Sequence, residues 1–258
     1  MQRTMEFLIR TRGLKKDYGS KGMRFNALNG IDLEVQKGEF IAVMGPSGSG
    51  KTTLLNLIST IDRPTEGKIF FGDADLDVLK SGDLARFRRD NIGFVFQDFN
   101  LLDNMTVMDN IALPLALNKA DHRDITSKVT ELAAFFGIEE QLPKYPYQLS
   151  GGQRQRTATA RALITSPAAV FADEPTGALD SKSSAELLEC FKSMNSRFGT
   201  TIIMVTHDAF AASFCDRILF LKDGAIHARL DRTGSRKELF HKILDMLGAM
   251  GGISNELL

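Results

Sequence analysis

The stretch that decides the fold is "GPSGSGKTT", residues 45–53. A continuous apolar run, "EFIAVMG" (39–45), precedes it, and "TTLLNLIST" (52–60) follows it with apolar residues at helical spacing. Strand, glycine loop and helix in this order satisfy the pattern G-x-x-x-x-G-K-[ST]. Glycines let successive backbone N–H groups point inward, the helix N-terminus adds a partial positive charge, and Lys51 adds a full one. The stretch therefore predicts a loop that binds the phosphates of a nucleotide.

Composition narrows the class of protein. The chain has 258 residues, 43% of them hydrophobic and 25% charged, as in an ordinary globular protein. Lys+Arg and Asp+Glu balance at 32 each, so no nucleic-acid partner is expected. The two cysteines, Cys190 and Cys215, form no CxxC pair, which favours structural thiols in a reducing compartment. The apolar runs end well short of the roughly 18 residues that a membrane span needs, so any membrane role is expected to be peripheral.

The pattern along the chain predicts a parallel sheet with additions. The first forty residues favour short strands separated by turns, whereas "AAVFADE" (168–174) and "TTIIMVTHD" (200–208) predict buried strands. Residues 181–199 between them predict an amphipathic helix ending at a glycine. Strand, helix and strand in sequence imply parallel pairing with right-handed crossovers.

Three further segments complete the predicted plan. Residues 98–160 are mostly helical in pattern and form an insertion in the core. Asp223-Gly224 predicts a tight turn in a hairpin over 217–230. Ser235 and Glu238 predict a capping box at the start of a C-terminal helix.

A second acidic motif narrows the chemistry. In "AVFADEPTGALD" (169–180) the apolar strand brings Asp173 to the carboxyl end of the sheet, where it can hold Mg²⁺ together with the Thr52 hydroxyl. Glu174 follows at once and can orient or deprotonate an attacking water. The pair predicts nucleotide hydrolysis.

The pentapeptide "LSGGQ" (149–153) predicts a second phosphate-directed helix end. Ser150 and Gln153 form a possible capping box, and Gly151 and Gly152 let that helix end approach an anion closely. One nucleotide does not need both helix ends from one chain. Two chains facing head to tail would let each supply the second end to the other's nucleotide, which predicts a two-fold symmetric dimer.

With these motifs in order, the chain resembles the ATP-binding subunit of an ABC transporter over about residues 5–230. The resemblance lies in Walker A (Gly45–Thr53), the Q-loop Gln97, the signature (Leu149–Gln153), Walker B Asp173 with the catalytic Glu174, the D-loop (Ala178–Asp180) and the switch His207. Tyr18 lies where such proteins carry the aromatic ring that stacks on adenine; a tyrosine packed at a strand end is the alternative.

The resemblance implies a P-loop NTPase (RecA-like) parallel-sheet α/β core with an N-terminal antiparallel β subdomain and a helical insertion. It implies a single ABC ATPase domain over 5–258: core with β subdomain at 5–97 and 161–234, helical signature subdomain at 98–160, C-terminal helix and tail at 235–258.

The resemblance also assigns roles to residues. It implies ATP and Mg²⁺ as cofactors, catalysis by Glu174, His207 and Gln97, and metal binding by Thr52, Gln97 and Asp173. The implied nucleotide-binding residues are Tyr18, Gly45, Pro46, Ser47, Gly48, Ser49, Gly50, Lys51, Thr52, Thr53, Ser150, Gly151, Gly152, Gln153 and Asp180.

Within the family, residues 93–115 and "FADEPTGALDSKSS" resemble lipoprotein-release, macrolide-export and antimicrobial-peptide-resistance ATPases. The tail, "KELFHKIL" followed by "GAMGG", most resembles the bacitracin-resistance (Bce) type. This implies ATP-driven cassette dimerisation, at the cytoplasmic face of the membrane, that powers a permease removing or exporting antimicrobial peptides. A sensor histidine kinase bound through the permease is a further implied partner.

The permease is expected to dock on residues 98–117. There Leu101, Leu102, Met105, Val107 and Met108 are expected to be partly exposed, unless they pack the core of the insertion itself.

Other functions stay open at this stage. One alternative is a regulatory ABC ATPase that controls a cell-wall hydrolase, and another is a lipoprotein-release or macrolide-export ATPase. A soluble ABC ATPase of DNA repair or translation is disfavoured by the single cassette and the neutral charge. A cytidylate-type kinase or a GTPase is excluded by LSGGQ together with Glu174.

Overall fold

The computed structural model describes residues 6–20 and 23–250; residue 5 and the predicted tail 251–258 lie outside these ranges. The strands are β1 (Phe7–Ser20), β2 (Met23–Gln36), β3 (Phe40–Met44), β4 (Glu66–Phe71), β5 (Ala74–Asp75), β6 (Ile92–Val95), β7 (Ala169–Asp173), β8 (Thr201–Val205), β9 (Arg217–Lys222) and β10 (Ala225–Asp231). The α-helices are α1 (Lys51–Ile58), α2 (Ser81–Asn91), α3 (Val107–Leu117), α4 (His122–Phe136), α5 (Gly151–Leu163), α6 (Ser181–Phe198), α7 (Ala209–Ala212) and α8 (Arg236–Ala249).

The core is a six-stranded sheet in the order β10-β9-β3-β8-β7-β6. All neighbouring strands in it run parallel except β9 and β10, which form the predicted hairpin. Every residue of β3 and β8 is buried, because helices and the second sheet cover both faces. This double burial explains the continuous apolar runs and confirms the predicted parallel α/β core.

The second sheet is antiparallel, with strand order β2-β1-β4-β5, and confirms the predicted antiparallel β subdomain. The prediction of short strands in the first forty residues is wrong, because β1 and β2 are 14 residues each. Register shifts interrupt their pairing, including one between Thr11 and Leu14, where Gly13 has φ 56°. These irregularities break the alternation of apolar residues and make two long strands look like several short ones.

The helical segment contains α3, α4 and α5. Ser150 and Gln153 form the predicted capping box of α5, and Thr106 with Asp109 forms another at α3. The expectation that Val107 is partly exposed is wrong: it is fully buried, because it is the first residue of α3 and faces the core. Leu101, Met105 and Met108 are half-buried and Leu102 is exposed.

The last helices pack back on the core. Asp180 caps α6, Gly199 ends it in the left-handed conformation, and Ser235 with Glu238 forms the predicted box at α8. In α8, Arg236 lies 4.3 Å from the Phe214 ring centroid and 3.2 Å from a carboxylate oxygen of Glu189. No helix within residues 6–20 and 23–250 is long and apolar enough to cross a membrane.

The close approach of α5 to β6 gives a test of this packing. At Gly93 a Cβ atom would overlap the carbonyl oxygen of Ala162, whereas at Gly82 in α2 a Cβ would meet open space. We expect Gly93→Ala to lower the free energy of unfolding by about 1–3 kcal/mol through overpacking.

The matched variant Gly82→Ala should be neutral or stabilising by up to about 1 kcal/mol, because alanine favours helix. Thermal or urea denaturation of both variants measures the difference. Equal stability of the two would contradict the described contact between α5 and β6.

Candidate functional site

The carboxyl ends of three parallel strands meet at one edge of the core sheet. The glycine motif follows β3, Asp173 is the last residue of β7 with Glu174 next to it, and His207 follows β8. Ligand sites in parallel sheets lie at this edge.

The glycine loop packs closely against β2. Gly50 has φ 99°, and a Cβ there would lie 2.5 Å from the carbonyl oxygen of Ala27. The hydroxyl of Ser49 is buried and has no hydrogen-bond partner among the described residues. An orphaned donor inside a backbone cradle at a helix N-terminus fits phosphate oxygens, which would accept from it.

Lys51 spans the mouth of this loop. Its Nζ donates to the carbonyl oxygens of Gly45 and Pro46, both at 2.9 Å. The pKa of Lys51 is lowered, because the effect of burial outweighs that of the nearby Glu174 and Asp173 carboxylates, which raise it. A half-buried cation of this kind favours an anionic ligand that can neutralise it.

Thr52 and Asp173 form an oxygen pair suited to a divalent cation. The Thr52 hydroxyl lies 3.4 Å from Oδ1 of Asp173. Burial and the neighbouring Glu174 raise the pKa of Asp173, and the Thr52 hydroxyl and the Lys51 charge only partly offset them. In the described part of the chain no three His, Cys, Asp or Glu side chains cluster around a metal position. The oxygen pair suits Mg²⁺, which keeps waters and binds phosphate oxygens besides one or two protein ligands.

Glu174 is held in an unusual backbone conformation next to His207. Its φ is 45°, a left-handed value for a non-glycine residue, and its N–H donates to the carbonyl oxygen of Val205 at 2.9 Å. Its Oε1 lies 2.9 Å from Nδ1 of His207, whose side chain is exposed. Both residues line a cavity of about 480 Å³ with Thr176, Gly177, Leu179, Ser181, Ser184, Asp208 and Phe210. The arrangement gives a carboxylate that can accept a proton from water beside an imidazole that can donate or accept one.

Gln97 lies beside the same loop, and Gln155 supports it. A Cβ at Gly177 would be 3.0 Å from Nε2 of Gln97, so the amide packs on the segment after Glu174. The Gln155 amide is fully buried and donates to the carbonyl oxygens of Pro175 at 2.7 Å and Phe96 at 3.2 Å. Sequence reasoning missed Gln155, because a glutamine two positions after Gln153 in a helix looks like a polar surface residue.

The signature helix end packs against the D-loop and the start of α6. A Cβ at Gly151 would touch Leu179, and one at Gly152 would lie 3.0 Å from the Ser183 hydroxyl. Both contacts involve the D-loop and the start of α6. Asp180 accepts from the N–H groups of Lys182 and Ser183 and so caps α6, and its bond from the Ser183 hydroxyl lowers its pKa. That the signature serves a second chain's nucleotide stays a prediction.

Tyr18 lies near the end of β1. The ring is 40% exposed, and its hydroxyl donates to Oδ2 of Asp62 at 3.0 Å. Burial raises the pKa of Tyr18, and a hydrogen bond with the Thr53 side chain lowers it. Thr53 is the last residue of the glycine motif, so this end of the ring adjoins the phosphate loop.

The fold and this site define an ATP-binding cassette. The ABC transporter family model matches residues 28–177, more than half of the chain, and the chain belongs to this family. The uncharacterized ABC transporter ATP-binding protein YvcR of Bacillus subtilis (strain 168) is 49% identical over 96% of this chain and 97% of its own length. The bacitracin export ATP-binding protein BceA of Halalkalibacterium halodurans is 45% identical over 96% of this chain and 99% of its own.

A solved structure gives the same result. The dimeric post-hydrolysis state of the cassette MJ0796 from Methanocaldococcus jannaschii, bound to ADP and Pi, superimposes with a TM-score of 0.81 at 38% identity. The match covers 88% of this chain and 99% of that chain. The chain is therefore the ATP-hydrolysing, ATP-binding subunit of an ABC transporter, and its cofactors are ATP and Mg²⁺.

The raised pKa of Asp173 gives a prediction about stability. Because its folded pKa lies above the ordinary value of 3.8, the ionised form is penalised in the fold. The stability contributed by this group falls as the pH rises above 3.8, and the full cost is present above the raised pKa. Without nucleotide, Asp173→Asn should therefore melt at a higher temperature than the wild type at pH 7, with a gap that narrows as the pH falls toward 4. Mg²⁺-dependent ATP hydrolysis by the variant should be lost.

Thermal denaturation across this pH range measures the effect. Asp103→Asn, which changes an exposed carboxylate outside the site, is the matched control and should leave the melting temperature unchanged. A melting temperature of Asp173→Asn at or below that of the wild type would contradict the described burial of a charged carboxylate.

Proposed function

We propose that two copies of this chain sandwich two ATP molecules and power a membrane permease that removes or exports antimicrobial peptides such as bacitracin. The end-to-end similarity to BceA carries this proposal, since the match spans 99% of that bacitracin exporter subunit. The dimer is supported by the dimeric MJ0796 structures and by the presence in one chain of two helix N-termini suited to phosphate, at the glycine loop and at the signature.

In this proposal the site residues have the following roles. The glycine loop and Lys51 bind the phosphates, Thr52, Asp173 and Gln97 hold Mg²⁺, and the partner's signature helix end completes the site. The bound Mg²⁺ supplies charge neutralisation at the phosphates. Glu174 accepts the proton of the attacking water, and His207, which already bonds the Glu174 carboxylate, fixes that carboxylate and reaches the γ-phosphate.

Replacing the base tests these roles. Glu174→Gln should bind ATP, lower the hydrolysis rate by at least about 100-fold, as loss of a general base does, and accumulate as an ATP-bound dimer. Size-exclusion chromatography with and without ATP and a phosphate-release assay measure both effects. Glu140→Gln, at an exposed glutamate outside the site, should behave like the wild type. A Glu174→Gln protein that stays monomeric with ATP and still hydrolyses it would refute the assignment.

A groove beside α3 supports the permease as partner. Its volume is about 370 Å³, and its apolar lining includes Phe94, Phe96, Leu113, Pro114 and Leu117. Leu117, which is 64% exposed, continues this apolar lining to the surface, and contiguous exposed apolar surface is typical of interaction sites. The groove lies within and beside the segment 98–117 and takes an apolar protein element from the permease at the cytoplasmic face of the membrane.

Placing a charged lysine at one position of the apolar groove tests whether the permease docks there. Leu117→Lys should abolish co-purification of the permease in mild detergent and, in cells, resistance to bacitracin. Val78→Lys is the matched control, because Val78 is an apolar residue that is 74% exposed outside the groove. Both variants should keep the wild-type melting temperature.

The identity of the co-purified proteins tests the finer proposal. A many-span permease with one large extracellular domain supports peptide detoxification, and a histidine kinase in the same eluate would add the sensor. A permease tied to a wall hydrolase would overturn the peptide role, and retention of the permease by Leu117→Lys would overturn the docking groove.

A further inference from the structure

The ring of Tyr18 is held from two sides by residues outside the family motifs. Lys16 precedes it by two positions on β1, across a register shift between Lys16 and Asp17, and its ammonium group contacts the ring. Asp62 lies in the loop after α1, 44 residues away in sequence. The three side chains meet at the end of the antiparallel sheet that adjoins the glycine loop.

Lys16 covers one face of the ring. Its Nζ lies 4.9 Å from the ring centroid, within the range of a cation–π interaction. The same ammonium group donates to the Asp62 carboxylate at 2.8 Å and to the carbonyl oxygen of Arg63 at 2.7 Å. Only 12% of the Lys16 side chain is exposed, which is unusual for a lysine.

Asp62 fixes the edge of the ring. Its Oδ2 accepts from the Tyr18 hydroxyl at 3.0 Å, and its Oδ1 accepts from the Arg63 N–H at 2.7 Å. Burial alone would raise the pKa of Asp62, but the bonds from Lys16, the Arg63 backbone and Tyr18 outweigh it and lower that pKa. The carboxylate therefore remains ionised at neutral pH, and the three groups form a closed set of contacts.

We propose that Lys16 and Asp62 are positioning residues that hold the Tyr18 ring as a preformed platform for the adenine base, with one face packed against the Lys16 ammonium and the other free for the base. This inference rests on the proposed contact of Tyr18 with ATP and adds the two residues that make the contact rigid. A ring fixed before the nucleotide arrives loses less conformational freedom on binding, so the platform raises affinity for the base without touching the phosphates.

Comparing the binding of two ligands, ADP and pyrophosphate, distinguishes positioning of the Tyr18 ring from a general structural role of Lys16. ADP carries the base, whereas pyrophosphate occupies the phosphate loop alone. Isothermal titration calorimetry in Mg²⁺ should show that Lys16→Met weakens ADP binding about fivefold to tenfold and leaves pyrophosphate binding unchanged. In steady-state kinetics the KM for ATP should rise with kcat unchanged, as loss of uniform binding predicts.

The chain offers a matched control next door. Lys15, on the same strand as Lys16, forms an exposed ion pair with Glu66 of β4 at 2.7 Å. Lys15→Met therefore removes a neighbouring lysine and its ion pair without touching Tyr18. This variant should bind ADP like the wild type. Lys16→Arg, which keeps a cation over the ring, should recover most of the ADP affinity lost in Lys16→Met, and Asp62→Asn should weaken ADP selectively.

Each other outcome overturns a distinct statement. Equal ADP affinity of Lys16→Met and Lys15→Met would refute the positioning role, and equal weakening of ADP and pyrophosphate would show a structural role instead. If Tyr18→Ala binds ADP like the wild type, the proposed contact of Tyr18 with the base fails as well. In the same assay, loss of both ADP and pyrophosphate binding in Lys51→Ala would support the assignment of residues 45–53 as the phosphate-binding loop. This result does not depend on the role of Lys16 and Asp62.

Discussion

The register of the parallel strands brings one ammonium group and two carboxylates to the same edge of the sheet. β3 delivers the loop that contains Lys51, and its neighbours β8 and β7 deliver His207, Asp173 and Glu174. Burial works against the charged forms of both Lys51 and Asp173, and the negative charges outnumber the positive one. A divalent cation would pair with the carboxylates and a polyphosphate would pair with Lys51, so each ligand group supplies the opposite charge that one of these buried side chains lacks. The free cassette is therefore built around charges that its ligand, rather than its own side chains, neutralises.

This electrostatic cost has a conformational counterpart. Glu174 keeps a left-handed backbone, and the bonds on either side of it, to Val205 and from Gly177, hold that conformation in place. Strained residues of this kind persist where the surrounding structure over-determines them and are common at functional sites. The turn aims the carboxylate at His207 instead of letting the strand continue, which explains why β7 ends at Asp173.

The sequence predicted those features in which a local pattern reflects burial or capping. Continuous apolar runs predicted β3, β7 and β8, because both faces of these strands are covered, and Ser150 with Gln153 predicted the start of α5. It failed where the cause is not local. The irregular pairing of β1 with β2 concealed the length of both strands. The exposure of Val107 was predicted wrongly, because the orientation of a helix determines which end of an apolar segment faces the core. Gln155 and the contacts of Lys16 with Asp62 join residues far apart in sequence, and no spacing rule identifies them.

Gln155 links the proposed docking groove to the catalytic loop. Its single amide nitrogen binds the carbonyl oxygens of Phe96, beside the groove, and Pro175, directly after Glu174. Arg161, which lines the groove, donates to the carbonyl oxygens of Phe99 and Asn100 and so fixes the segment that begins at Gln97. Displacing one of the two segments without the other would leave a buried polar group unpaired, at a cost of about 1–3 kcal/mol. The groove and the loop that carries Glu174 are thus physically joined by one buried side chain, and a shift at either end is resisted unless the other follows.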